Sequence, residues 1–135
     1  MPYIGVKITG KADAALSDRI APSVAELTRT HLRKDPTVTA IAIDYVDQQH
    51  WFAGGRSLTE QRQNSYWLDI NVVDGTNTKS ELSNYFEGVH ACMSDTLGDV
   101  HGESYILVHE APAAAYGFGG KTQEFRFIGG QMGAR

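Results

Sequence analysis

The chemistry that this chain could do begins at its second residue. The chain opens Met1-Pro2-Tyr3-Ile4-Gly5-Val6-Lys7-Ile8. Removal of Met1, which a small second residue usually permits, leaves Pro2 as a free secondary amine at the head of a strand-like segment. An α-amino group titrates at about pH 8, much closer to neutrality than a lysine side chain. Burial or a nearby cation lowers that value further, because both disfavour the charged form. A general base works best when its pKa lies near the operating pH, so an N-terminal proline on a rigid strand is suited to moving protons. The alternative is structural: Pro2 begins a strand, where a missing N–H costs nothing. If Met1 is retained, the nitrogen is an amide and is no base.

Two further segments carry residues of chemical interest. His50-Trp51-Phe52-Ala53-Gly54-Gly55-Arg56-Ser57 and Ala115-Tyr116-Gly117-Phe118-Gly119-Gly120-Lys121-Thr122 share an aromatic, a glycine pair, a cation and a hydroxyl. Trp51 and Tyr116 are either walls of a site or anchors of the core. Gly120-Lys121-Thr122 has the ending of a phosphate-binding loop, but Ala115 stands where that motif needs glycine, and 123–128 reads as strand rather than helix. The five histidines form no HExxH pair and a single Cys92 gives no CxxC, so a structural zinc site is not expected. His90 reads as a helix-surface residue, His101 as a loop residue and His109 as a strand residue. Cys92, beside Val89 and Met93 in a helical pattern, reads as packing. Arg29, Arg33 and Lys34 read most simply as a solvated helix end that complements the macrodipole, from which a neighbouring subunit could still recruit a cation.

The elements that must hold these residues form an internal repeat. Trp51 and Tyr116 stand 65 positions apart, and the same offset pairs Ile41 with Ile106 and Ile43 with Val108. Ile4, Val6 and Ile8 match Leu68, Ile70 and Val72 at an offset of 64, and a fixed period across several elements marks duplication. Each unit, about 2–57 and 65–122, reads strand, helix, strand. Alternation predicts strands at 2–9, 38–45, 67–73 and 104–111. Leu16, Ile20, Val24 and Leu27 mark one amphipathic helix, interrupted by Pro22. Leu82, Phe86, Val89 and Met93 mark the other. Asp13 is a candidate N-cap. The segment 124–128 reads as a short terminal strand, and 129–135 as a frayed tail.

Two such units give parallel pairing within each unit and right-handed crossovers. The expected fold is α+β: a four-stranded mixed sheet with both helices on one face, in one domain over 1–135. The other face then needs a cover, which argues for an oligomer. With 135 residues, 41% hydrophobic and 21% charged, the chain has the composition of a soluble globular protein. A net charge of −4 offers no basic surface for nucleic acid. No apolar run is long enough to span a membrane. With no visible signal peptide and one cysteine, a cytoplasmic location is expected.

The Met-Pro opening, the repeated β–α–β unit of about sixty residues and the aromatic-plus-Gly-Gly turns resemble the tautomerase superfamily, which includes 4-oxalocrotonate tautomerase and macrophage migration inhibitory factor. The likeness covers nearly the whole chain. It implies a cofactor-free tautomerase or isomerase acting on a small carbonyl or carboxylate substrate, a 2-oxo or 2-hydroxy unsaturated acid. Pro2 would be the general base, and three tandem chains would form a homotrimer. An alternative within the family uses Pro2 as a general acid in hydration, dehalogenation or decarboxylation. A third reading is a non-catalytic assembly or binding protein on the same fold. By resemblance, Trp51 is the active-site aromatic. Lys11 stands in for an arginine that holds a carboxylate, a second family arginine is replaced by Ala40, and His31 lies near a helix histidine of the dehalogenases. Their water-activating carboxylate has only Glu110 nearby. Because the second unit begins Ser65-Tyr66, one proline site per chain is expected. The terminal segment, added as an edge strand to a neighbour, would bring Arg126 to another chain's Pro2.

Overall fold

A computed structural model describes residues 2–133. In chain order it contains β1 (Tyr3–Thr9), α1 (Ala14–Leu32), β2 (Ala40–Val46), the short strands β3 (Phe52–Ala53) and β4 (Arg56–Ser57), α2 (Leu58–Gln61), β5 (Tyr66–Val73), α3 (Lys79–Leu97), β6 (Tyr105–Ala111), the short strands β7 (Gly117–Phe118) and β8 (Lys121–Thr122), and α4 (Gln123–Gly133). The central sheet has the order β2-β1-β5-β6. Pairing is parallel within each unit and antiparallel between β1 and β5, with Ile8 opposite Tyr66 and Tyr3 opposite Asn71. The long helices α1 and α3 pack on one face, as the alternation of the strands requires.

The core lies between the sheet and that helical layer. Ile4, Val6 and Ile8 from β1 and Leu68, Ile70 and Val72 from β5 meet Ile20 and Val24 of α1 and Val89 and Met93 of α3. On α3 the buried stripe uses Tyr85, whose hydroxyl lies 2.9 Å from the Thr28 hydroxyl, and Phe86 is left 37% exposed. This corrects the sequence-based stripe by one residue, because hydrophobicity alone ranks Phe above a tyrosine that has found a buried partner. Asp13 caps α1 by accepting from the Leu16 N–H, and Thr78 with Glu81 forms a capping box on α3. Helix α1 runs through Pro22 without ending.

The open sheet face, expected to need a cover, is mixed in character. Ile4, Val6 and Ile8 of β1 and Leu68, Ile70 and Val72 of β5 turn to the helices, and the other face presents Tyr3, Lys7, Asp44, Trp67, Asn71, Tyr105, Leu107 and His109. Alternation of period two sends the aliphatic residues of these strands to one face and the polar and aromatic ones to the other. The terminal segment is corrected as well: 124–128 is not a strand but lies inside α4. Thr122 starts this helix by accepting from the Phe125 N–H at 2.9 Å. The spacing Gln123–Phe127 serves one helix face, which a short alternating stretch disguises. No helix among the described residues is long and apolar enough to cross a membrane.

The repeat extends to the connections. Gly54 and Gly55 have φ of 64° and 78°, and Gly119 and Gly120 have 61° and 79°. Two successive positive φ values make the two-residue hairpin turn whose twist matches its strands, and glycine adopts them without strain. Each hairpin is followed by a helix seated on it: the Leu58 N–H donates to the Trp51 carbonyl at 2.9 Å and the Gln123 N–H to the Tyr116 carbonyl at 2.8 Å. Gln61 Nε2 donates to the Ala53 carbonyl, and Arg126, 65 positions on, donates in the same way to the Phe118 carbonyl.

Candidate active site

Topology decides what surrounds Pro2. Because β5 runs antiparallel to β1, it ends beside the start of β1, and β6 ends there with it. The hairpin and helix that follow β6 therefore close over the head of β1. The hairpin of the first unit is carried by β2 to the opposite end, beside Tyr66. Each unit thus covers the start of the other.

Pro2 is buried, and its carbonyl accepts from the Ala40 N–H at 3.1 Å. The N–H of Tyr3 donates to the Tyr116 hydroxyl at 3.0 Å, and that hydroxyl donates to the Asn71 carbonyl at 3.2 Å. Burial pushes the Tyr116 hydroxyl pKa up, so it stays a neutral donor. Tyr116 therefore pins the first residues of β1 from the second unit. Removal of Met1 lies outside the described residues.

Pro2 lines a cleft of about 660 Å³ with Lys34, Val72, Gln123, Arg126 and Phe127. Lys34 arrives from the end of α1. The helix stops at Arg33, whose φ of 57° is left-handed, and its N–H closes on the Arg29 carbonyl. The Arg33 guanidinium pairs with Glu81 at 2.7 Å and reaches the Thr76 carbonyl. That tie fixes the α1 terminus against α3. Lys34 Nζ donates to Thr76 Oγ1 at 2.9 Å, and Lys34 has no carboxylate partner among the described residues. Its burial, then the neighbouring Arg33, lower its pKa below the usual lysine value. Arg126 is held by its Nε and Nη2 on the Phe118 carbonyl, with its guanidinium 3.9 Å from the Phe118 ring centre. Two carboxylates, Asp35 and Glu124, also border the cleft. Asp35 accepts from the backbone and hydroxyl of Thr37, and these bonds lower its pKa.

Gln123 is 6% exposed, and its Nε2 has no hydrogen-bond partner among the described residues. An unpaired buried donor costs about 1–3 kcal/mol. Its counterpart in the first unit, Leu58, is fully buried.

Of the residues singled out from the sequence, Pro2 and Arg126 come together and Tyr116 braces them. Arg126 belongs to the same chain as its Pro2, because its segment is a helix folded back and not an extended arm. Lys11 sits beyond the far end of β1, so one chain does not bring it to its own Pro2. Trp51 lines a second cleft of about 550 Å³ with Tyr66, Trp67, Glu103 and Tyr105. His31 packs against α3, where a Cβ on Gly88 would stand 3.1 Å from its Nε2. Of the two cations read from the sequence as solvated, Arg33 is exposed, Lys34 is half-buried, and both border the cleft. Glu110 is exposed on β6, and the carboxylates at the cleft are Asp35 and Glu124. Gln123 had no sequence signal except its place opposite Leu58 in the repeat. No cluster of three or more His, Cys, Asp or Glu among the described residues is arranged to hold a metal.

The class defined by this sheet, its helical layer and its paired hairpins is a tandem β–α–β fold. No protein-family model matches the chain. A stretch of 64 residues, 47% of this chain and 96% of the relative, is 34% identical to Probable tautomerase K2 of Dickeya dadantii (strain 3937). Among solved structures, Pt0534 inactivated by 2-oxo-3-pentynoate matches with a TM-score of 0.79 and 11% identity over 92% of this chain and 98% of that one. A fused 4-OT wild-type symmetric trimer matches with a TM-score of 0.75 and 11% identity over 90% and 96%. The chain belongs to the tautomerase superfamily.

Proposed function

We propose that the chain is a cofactor-free tautomerase or isomerase in which Pro2, freed of Met1, moves a proton on a small 2-oxo or 2-hydroxy unsaturated acid. The observation that carries this reading is the convergence of buried Pro2, half-buried Lys34 and Arg126 on one cleft. Lys34 and Arg126 supply charge for a carboxylate. Pro2 nitrogen takes the proton of an enol hydroxyl, the O–H electron pair becomes the carbonyl, and the double bond accepts the proton back at carbon. Val72 and the more exposed Phe127 add apolar surface to the cleft. The expected outcome for Pro2→Ala, assayed with phenylenolpyruvate or a 2-hydroxydienoate, is loss of at least a hundredfold in kcat, within the contribution of a general base. Full activity would remove Pro2 from the reaction.

A second reading is favoured by Glu124. With Pro2 protonated, this carboxylate would activate water for hydration or dehalogenation of an unsaturated acid. The five charged neighbours pull in opposite directions: Arg33, Lys34 and Arg126 favour the neutral amine, and Asp35 and Glu124 favour the ammonium. Titration of the Pro2 amine separates the readings. A value of about 6 supports the base and one of about 9 the acid. We also read the chain as one protomer of a homotrimer, supported by a fused 4-OT of the same fold solved as a symmetric trimer.

A further inference from the structure

We propose that Gln123 is a substrate-binding residue of the Pro2 cleft, donating its side-chain N–H to the 2-oxo oxygen of the acid while the cations hold the carboxylate. The proposal rests on the reading of the cleft as an oxo-acid site.

The molecule contains its own control. Gln123 and Leu58 occupy the same place in the duplicated unit: first residue of the helix after the hairpin, with the backbone N–H bonded to the carbonyl of the aromatic seven positions earlier. At the Tyr66 end this place is filled by leucine, fully buried. The fold therefore needs only an apolar side chain there. At the Pro2 end the same backbone carries an amide that is 6% exposed, lines the cleft and leaves Nε2 without a partner among the described residues. A buried polar group without a partner calls for an explanation, and a ligand at the cleft is one.

The chemistry of the donor fits its place. Lys34 and Arg126 are full charges suited to a carboxylate, but neither selects for a second, uncharged oxygen. A neutral amide favours a carbonyl oxygen and gains strength as that oxygen becomes enolate-like. A site built to hydrogen-bond a substrate oxygen rejects analogues that lack it, because its buried donor is then left unpaired.

The test compares 2-oxobutanoate with butanoate on the full-length protein lacking Met1, by calorimetry and by the side-chain amide NMR signal of Gln123. The wild type is expected to bind the oxo acid about tenfold more tightly and to shift the Gln123 NH₂ signal with that acid alone. Gln123→Leu, which copies Leu58 of the first unit, and Gln123→Met, which keeps length without a donor, are expected to bring the ratio to about one and leave butanoate affinity unchanged. Both should melt at or above the wild-type temperature. An unchanged ratio in the variants, an equal loss for both acids, or a lower melting temperature in both variants would overturn the role. If the wild type binds neither acid while Pro2→Ala still abolishes turnover of a different substrate, the oxo-acid reading falls, and this proposal with it.

Discussion

Lys34 and Arg126 both border the cleft but differ in how they can be dissected. Lys34 bonds only Thr76 among the described residues, so its ammonium retains donors for a carboxylate. A hydrogen bond to a charged group contributes about 1.5–3 kcal/mol, or roughly ten- to a hundredfold in KM. Lys34→Gln is expected to raise KM by that amount with little change in kcat, measured by steady-state kinetics, and Lys34→Arg to restore part of it. Burial lowers the pKa of Lys34, so its charge disappears at lower pH than that of an ordinary lysine. KM should therefore rise on the alkaline side below pH 10.5, and in Lys34→Arg that rise should move to higher pH. Arg126 has a structural duty on the Phe118 carbonyl that Gln61 performs in the other unit. Arg126→Gln is thus expected to keep thermal stability while raising KM; a drop in melting temperature would instead mark the guanidinium as mainly a clamp.

At the scale of elements, the junction of α1 and α3 sets the cleft. The Arg33 guanidinium holds the Glu81 carboxyl at a pKa of about 2, with the Thr78 backbone bond of the capping box as the next cause. A carboxyl whose folded pKa is depressed contributes stability above its unfolded value of about 4.3, and that contribution is lost as pH falls toward 2. Urea midpoints measured from pH 6 to pH 2 should fall more steeply for the wild type than for Glu81→Gln. Because Lys34 follows Arg33 directly, Glu81→Gln should also weaken substrate binding at neutral pH. Helix α4 is the other determinant. It carries Gln123, Arg126 and Phe127 to the cleft. Truncation after Thr122 is expected to abolish activity even where the sheet still folds, as judged by circular dichroism.

At the scale of the whole molecule, duplication gives two clefts of unequal chemistry. Tyr66 stands where Pro2 would in the repeat, and burial pushes its hydroxyl pKa up to about 12. The second cleft therefore has no amine in the place of Pro2, although His101 and Glu103 line it. Incubation with 2-oxo-3-pentynoate should add one adduct per chain, found by mass spectrometry on the peptide that begins at Pro2. Two adducts per chain would show that the ends are equivalent. Light scattering should give a trimer mass at micromolar concentration.

The sequence by itself determined the repeat, the four central strands, the two long helices, the glycine turns and Pro2 as the residue to test. Each of these rests on local rules: period two against period 3.6, caps, and the φ values that glycine accepts. Within one chain it did not show which of the residues it singled out stand together. Trp51 shares a unit with Pro2 but lies at the other end of the sheet. Tyr116, Gln123 and Arg126 share no unit with Pro2 and yet surround it. The reason is the antiparallel pairing of β1 with β5, a contact between residues some sixty positions apart that leaves no trace in either strand's own pattern. The same holds for Lys34, which is a solvated helix end until α3 supplies Thr76 and Glu81, and for Gln123, whose unpaired amide exists only because tertiary folding buries it. Strand direction and burial are properties of the assembled sheet, and they alone decided which side chains share a cleft.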